Sequence, residues 1–174
     1  MKKTIIIASL AVFASAAALA TFALSGAGKF GGVQVNADPV KYSITLDESN
    51  TTVEAVGDHY AICTTTPRGA KVGVVGSYND EERFTFNGAP FSQLCLFDID
   101  GALGKVGAYQ FSTITGFAFS FSDGYVLFVG GETEIDPVTS RQEYKGLSIT
   151  PSDESRFYTT DSITISSITI HYTC

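Results

Sequence analysis

Apolar and polar positions after Leu24 alternate with a period of two, and nowhere in that part of the chain is apolar spacing of three and four sustained. A period of two marks strands with one buried face, because successive side chains point to opposite sides of a sheet. Tyr42, Ile44 and Leu46 against Ser43 and Thr45 predict a first strand, followed by polar turn material over 47–52. Further strands are predicted over 60–65, 71–77, 83–86, 93–97, 106–111, 146–150, 156–158 and 162–172, with Pro67-Arg68-Gly69, Asn87-Gly88, Pro90, Gly101 and Gly104 as punctuation. Residues 130–140, which contain Asp136-Pro137, read as a polar connection.

The stretch 114–129, ITGFAFSFSDGYVLFV, is the most apolar of these and predicts a hairpin closed by Asp123-Gly124. Asp-Gly between alternating runs suits a type I′ turn, which needs φ > 0 at both central residues. That register sets Phe121 opposite Val126 and Phe119 opposite Phe128, with Phe117, Phe119, Phe121, Val126 and Phe128 on one face. In the last run, Ile163 and Ile165 keep one phase whereas Ile168, Ile170 and Tyr172 keep the other, so a β-bulge is predicted at Ser166-Ser167. A second slip is predicted at Gly116, between Ile114 and Phe117. Many short strands without helical periodicity predict an all-β chain, an antiparallel β-sandwich of about ten strands.

The beginning of the chain follows a different pattern. Lys2 and Lys3 precede an uncharged apolar run from Ile5 to Leu24, and small residues lead to Val35-Asn36-Ala37. A basic start, an apolar stretch and small residues before a cut predict a secretory signal helix over 1–37, with export and removal after Ala37. An uncleaved membrane anchor is the alternative, since twenty apolar residues just span a bilayer. The predicted mature domain is 38–174, long enough for one domain with a sizeable core. Three of the 11 basic residues, Lys2, Lys3 and Lys29, precede it, which leaves 8 basic against 18 acidic side chains, a net charge of −10. Such a surface repels phosphate backbones and anionic lipid, so neither nucleic acid nor, once the signal is removed, a membrane is an expected partner.

The segments Tyr42-Ser43-Ile44-Thr45-Leu46, Ile114-Thr115-Gly116 with the Asp123-Gly124 turn, and Ile168-Thr169-Ile170-His171-Tyr172-Thr173-Cys174 together resemble a secreted β-sandwich module of low-GC Gram-positive bacteria. That family is similar to the jelly-roll accessory modules of the galactose-binding type. The resemblance implies a jelly-roll fold and a role in binding glycans or surfaces, and it carries no catalytic residues.

Candidate chemistry is sparse. Histidine occurs only as His59 and His171, the latter on the outward phase of its strand, and no nucleophile elbow or zinc-binding helix motif is present. Asp98 and Asp100 before Gly101 supply too few oxygens for a calcium loop, and no metal or cofactor is expected. Aromatic side chains beside amides, carboxylates or guanidinium groups on loops are the chemistry of sugar recognition, and two clusters supply it: Tyr78-Asn79-Asp80 with Arg83, and Tyr109-Gln110. Cys63, Cys95 and Cys174 in an exported chain predict one disulfide; Cys63 to Cys174 is the expected pair, because Cys174 continues the inward phase of Ile168, Ile170 and Tyr172. The functional expectation is a secreted, non-catalytic module that binds carbohydrate or a cell-surface partner, with a structural or host-interaction protein lacking a small ligand as the alternative.

Overall fold

Two sheets rich in antiparallel pairs enclose an aromatic core in a computed structural model that describes residues 39–79, 81–130 and 133–173. The expected signal segment 1–37, Asp80 and Cys174 lie outside the described residues. In chain order the strands are β1 (Lys41–Asp47), β2 (Thr52–Val56), β3 (His59–Thr65), β4 (Lys71–Ser77), β5 (Phe84–Phe86), β6 (Ala89–Phe91) and β7 (Gln93–Cys95). A 3-10 turn (Ile99–Gly101) and a short helix α1 (Ala102–Lys105) come next. They are followed by β8 (Thr113–Phe121), β9 (Val126–Gly130), β10 (Thr133–Val138), β11 (Glu143–Ile149), β12 (Arg156–Tyr158) and β13 (Ile163–Thr173).

The first sheet has the order β11-β8-β13-β5-β6, and β1 pairs with β13 beyond the reach of β5. The second has the order β10-β9-β12-β7-β4-β3-β2. The β13/β5 pair is parallel, and every other strand pair is antiparallel.

The expected hairpin does not form. β8 pairs with β11 and β13 in the first sheet, whereas β9 pairs with β10 and β12 in the second, so Asp123-Gly124 carries the chain from one sheet to the other. Gly124 has φ +126°, but Asp123 is not among the residues with positive φ, and a type I′ turn needs both. The crossing is tied instead to the segment before β13: the Tyr125 amide donates to Asp161 Oδ2 at 3.3 Å, and the Thr159 hydroxyl donates to the Tyr125 carbonyl at 2.7 Å. Packing accounts for the choice. A hairpin sets Phe117, Phe119 and Phe128 side by side on one sheet, while the crossing leaves Phe117 and Phe119 on the first sheet and sets Phe128 on the second, its ring 5.6 Å from that of Phe117. Phe157 of β12 then sits among all three, 4.9, 4.7 and 4.8 Å from the rings of Phe117, Phe119 and Phe128. Phe117, Phe119, Val126, Phe128, Ile163, Ile165, Ile168 and Ile170 are buried as expected, and Phe121 is only partly so.

The chain does make a two-residue turn of the I′ kind at Asn87-Gly88, between β5 and β6, where φ is +48° and +78° and Phe86 pairs with Ala89. Both predicted bulges are present on the β8/β13 ladder. The register slips by one residue between Ile165 and Ser167 on β13, and again where His171 pairs with Gly116 but Tyr172 with Ile114.

Two further differences trace to the second sheet. Its β3 and β4 are buried on both faces: Ile62, Val72 and Val74 belong to the central core, while Ala61, Cys63, Val75 and Cys95 lie under Ala102, Leu103 and Ala108. The strand expected over 106–111 is therefore the exit from a covering helix, and only Tyr109 joins the sheet, bridging to Val72. The expected polar connection after Gly130 contains the edge strand β10, with Pro137 at a register break between Ile135 and Val138. Edge strands tolerate proline at such breaks because no ladder bond is lost there.

Candidate functional site

The second of the two expected clusters lies in a cleft of about 310 Å³ at one end of the sandwich. Tyr42 of β1 and Tyr172 of β13 reach it from the first sheet, and the β3–β4 turn and the segment 109–112 reach it from the second. Inside the cleft the rings form a ladder: Tyr42 stacks on Tyr172 at 5.5 Å, and Phe111 meets Tyr172 at 5.1 Å. Tyr109 stands at the rim. Its amide donates to the Lys71 carbonyl and its carbonyl accepts from the Gly73 amide, both at 3.0 Å, so the backbone is fixed while the side chain is 70% exposed. Gln110 lines the same cleft, and its Oε1 accepts from the Asp98 amide at 2.9 Å, which leaves its NH2 group to donate.

Arg68 completes the cleft and was not legible as a site residue. Thr66 and Ala70 bracket a three-residue turn in which the Gly69 amide donates to the Thr66 carbonyl at 2.9 Å and Gly69 takes φ +83°. Proline at the second position of such a turn presets its φ, and glycine accepts the left-handed conformation that closes it. Pro67-Arg68-Gly69 thus holds Arg68 at the apex, where its guanidinium lies 5.0 Å over the Tyr42 ring and donates to the Tyr42 hydroxyl. The only sequence signal was the Pro-Arg-Gly punctuation.

The first expected cluster divides. Asn79 and Arg83 line a separate cleft of about 360 Å³ with Glu81, Ser92, Gln93 and Thr159. Several of its polar groups have protein partners: Arg83 pairs with Glu81, the Ser92 hydroxyl donates to the Glu81 carbonyl, Gln93 accepts from Arg156 and Thr159 donates to Tyr125. Tyr78 does not line it. Its ring packs on Tyr60 at 5.8 Å and its hydroxyl donates to the Tyr60 hydroxyl at 3.4 Å, a bond that helps push the Tyr78 phenol up to about 12. A third groove of about 600 Å³, beside β1 and β11, contains Lys145 and His171, but both are bound to Glu143 at 2.7 Å.

The expected Cys63–Cys174 disulfide is not made by Cys63, which is a buried free thiol on the face of β3 turned away from the central core. Cys95 is also free and buried. It lies on β7, with β4 between it and β3, and two strand spacings of ~4.8 Å set the backbones ~10 Å apart, beyond the ~7 Å that a disulfide tolerates. Burial pushes the Cys63 thiol up to about 11 and raises that of Cys95 as well. The Asp98 and Asp100 carboxylates have structural partners: Asp98 Oδ1 accepts from the Leu103 amide at 2.6 Å, and Asp100 lies 3.1 Å from His59 Nε2. No cluster of three metal-ligating side chains occurs among the described residues. His59 and His171 each face a carboxylate, and neither lines the aromatic cleft. Compared with protein-family models, curated proteins and solved structures, the chain matches none of them.

Proposed function

We propose that this chain is an exported, non-catalytic β-sandwich of the jelly-roll type that binds carbohydrate through the cleft framed by Arg68, Tyr109 and Gln110. The observation that carries this reading is Tyr109: its backbone is held by two bonds to β4, yet its ring is the most exposed large apolar side chain among the described residues. An exposed aromatic face gains most when a flat apolar surface covers it, and the face of a pyranose ring is such a surface. The neighbouring guanidinium and amide supply the oriented donors that sugar hydroxyls need. The Tyr42–Tyr172–Phe111 ladder gives the cleft a preformed wall, so little ordering is lost on binding. The deep burial of both described thiols works against a cysteine nucleophile, since the thiolate is the reactive form.

The test is isothermal titration against cell-wall and mucin-type sugars. Saturable binding is expected at micromolar to millimolar strength, and Tyr109→Ala should weaken it about twofold to tenfold, the worth of one stacking contact. Tyr78→Ala, whose ring lies outside the cleft, is the control that should leave affinity within error. If no sugar binds, the structural or host-interaction alternative takes its place.

A further inference from the structure

We infer that the sugar recognised in this cleft carries a carboxylate, read by Arg68; the inference rests on the carbohydrate reading above and narrows it to acidic sugars. From Asp38 onward there are 18 acidic and 8 basic side chains, so what distinguishes Arg68 is its place: it is a cation fixed at the mouth of an aromatic cleft. Lys71, Arg83 and Lys145 each sit within 3 Å of a glutamate. Arg68 has no carboxylate within ion-pair distance among the described residues, and no Asp or Glu lines its cleft. It is nonetheless held in place: the Pro67–Gly69 turn fixes its backbone, while the Tyr42 ring and hydroxyl fix its guanidinium.

A guanidinium keeps its edge donors in one plane, and that edge is the geometry that pairs with a carboxylate through two parallel bonds. Only part of that edge is used by the Tyr42 hydroxyl. The remaining walls, Tyr109, Phe111 and Tyr172 among them, are mostly apolar and suit a ring face rather than a second charge. Charge complementarity and shape together describe one occupant: a pyranose with a carboxylate at its edge, as in a uronic acid or a muramic-type sugar. A neutral sugar leaves this preorganised cation unused, and an anion without a ring leaves the aromatic wall unused.

The experiment compares matched pairs that differ only in the acid: methyl glucuronide with methyl glucoside, methyl galacturonide with methyl galactoside, and N-acetylmuramic acid with N-acetylglucosamine. Titrations use wild type, Arg68→Gln and Arg68→Lys, each checked for an unchanged melting profile. In wild type at low salt the acid member of at least one pair should bind about fivefold to tenfold tighter, as a charge-assisted contact gives. That preference should shrink at about 0.5 M salt, where screening is short-ranged. The ratio should fall to about one in Arg68→Gln and to an intermediate value in Arg68→Lys, which keeps the charge but loses the fork. Equal binding of acid and neutral members by wild type would overturn the inference and leave the carbohydrate reading standing. An acid preference that survives Arg68→Gln would overturn the assignment to Arg68. Absence of binding by every member would overturn the carbohydrate reading, and this inference with it.

Discussion

Replacing Phe157 with alanine is the most demanding test of the architecture, because the sequence alone does not mark this residue as central. Phe157 belongs to a three-residue strand, is 1% exposed, and its ring lies within 5 Å of three others contributed by both sheets. Truncation removes roughly 150 Å² of buried apolar surface, which at about 25 cal/mol per Å² amounts to ~3–4 kcal/mol. Lost ring–ring contacts and the cavity between the sheets add to this, so the expected cost is ~4–5 kcal/mol, the upper part of the range for buried aromatic truncations. The partly buried Phe121 should cost about half as much when truncated, because part of its area is already wet. Urea denaturation at constant protein concentration measures both variants. A double-mutant cycle between Phe157 and Phe119, which lie on different sheets 4.7 Å apart, isolates their coupling, expected at ~0.5–1.5 kcal/mol. A loss below ~1 kcal/mol for Phe157→Ala, or no coupling in the cycle, would refute the crossing at Asp123-Gly124 and restore the hairpin.

The remaining predictions concern the turn and the titrating groups. Gly88→Ala should destabilise by about 1 kcal/mol or more, since φ +78° strains any residue with a Cβ, whereas Asn87→Gly should be nearly neutral; chemical denaturation compares the two. Cys63, held up to about 11 by burial, should resist thiol reagents at pH 8 in native protein and react promptly in denaturant; rapid native labelling would show that the cover of Ala102 and Leu103 opens readily. Glu143 has its carboxyl held below the usual range by Lys145 first and His171 second, so its contribution to stability is present above the unfolded carboxylate value and is lost as pH falls through the lower folded value. The stability difference between wild type and Glu143→Gln should therefore shrink on acidification below about pH 4.5, and a difference that stays constant would refute this linkage.

Local pattern revealed individual strands and their irregularities but not their partners. The phase change between Ile165 and Ile168 needs only the side chains of one strand, so the β13 bulge could be read directly, and so could the slip at Gly116. Asp123-Gly124 and Asn87-Gly88 look alike as dipeptides; what separates them is whether the flanking apolar faces gain more from lying side by side or from facing one another. Phe117 and Phe119 before Asp123-Gly124 and Phe128 after it all meet a fourth ring, Phe157, that arrives from far along the chain. The runs in β3 and β4 break alternation because α1 covers their outer face, and a helix of four residues is too short to leave a periodic signature. At the candidate site, Tyr109 and Gln110 were legible as chemistry on a loop. Arg68, Tyr42, Phe111 and Tyr172 were not, because the cleft gathers them from separate segments and only the meeting of the two sheets makes them neighbours.

Mapping the bound sugar onto the protein by heteronuclear NMR tests the central claim most directly, using whichever sugar of the titration panel binds most tightly. Backbone amides of Arg68, Tyr109, Gln110 and Ser112 should shift on titration, with the Arg68 side-chain resonance among the largest changes, while Asn79, Arg83 and Thr160 in the other cleft stay in place. Shifts confined to Asn79, Arg83 and Thr160, or to Lys145 and Thr115 in the groove beside β11, would contradict the assignment of the site.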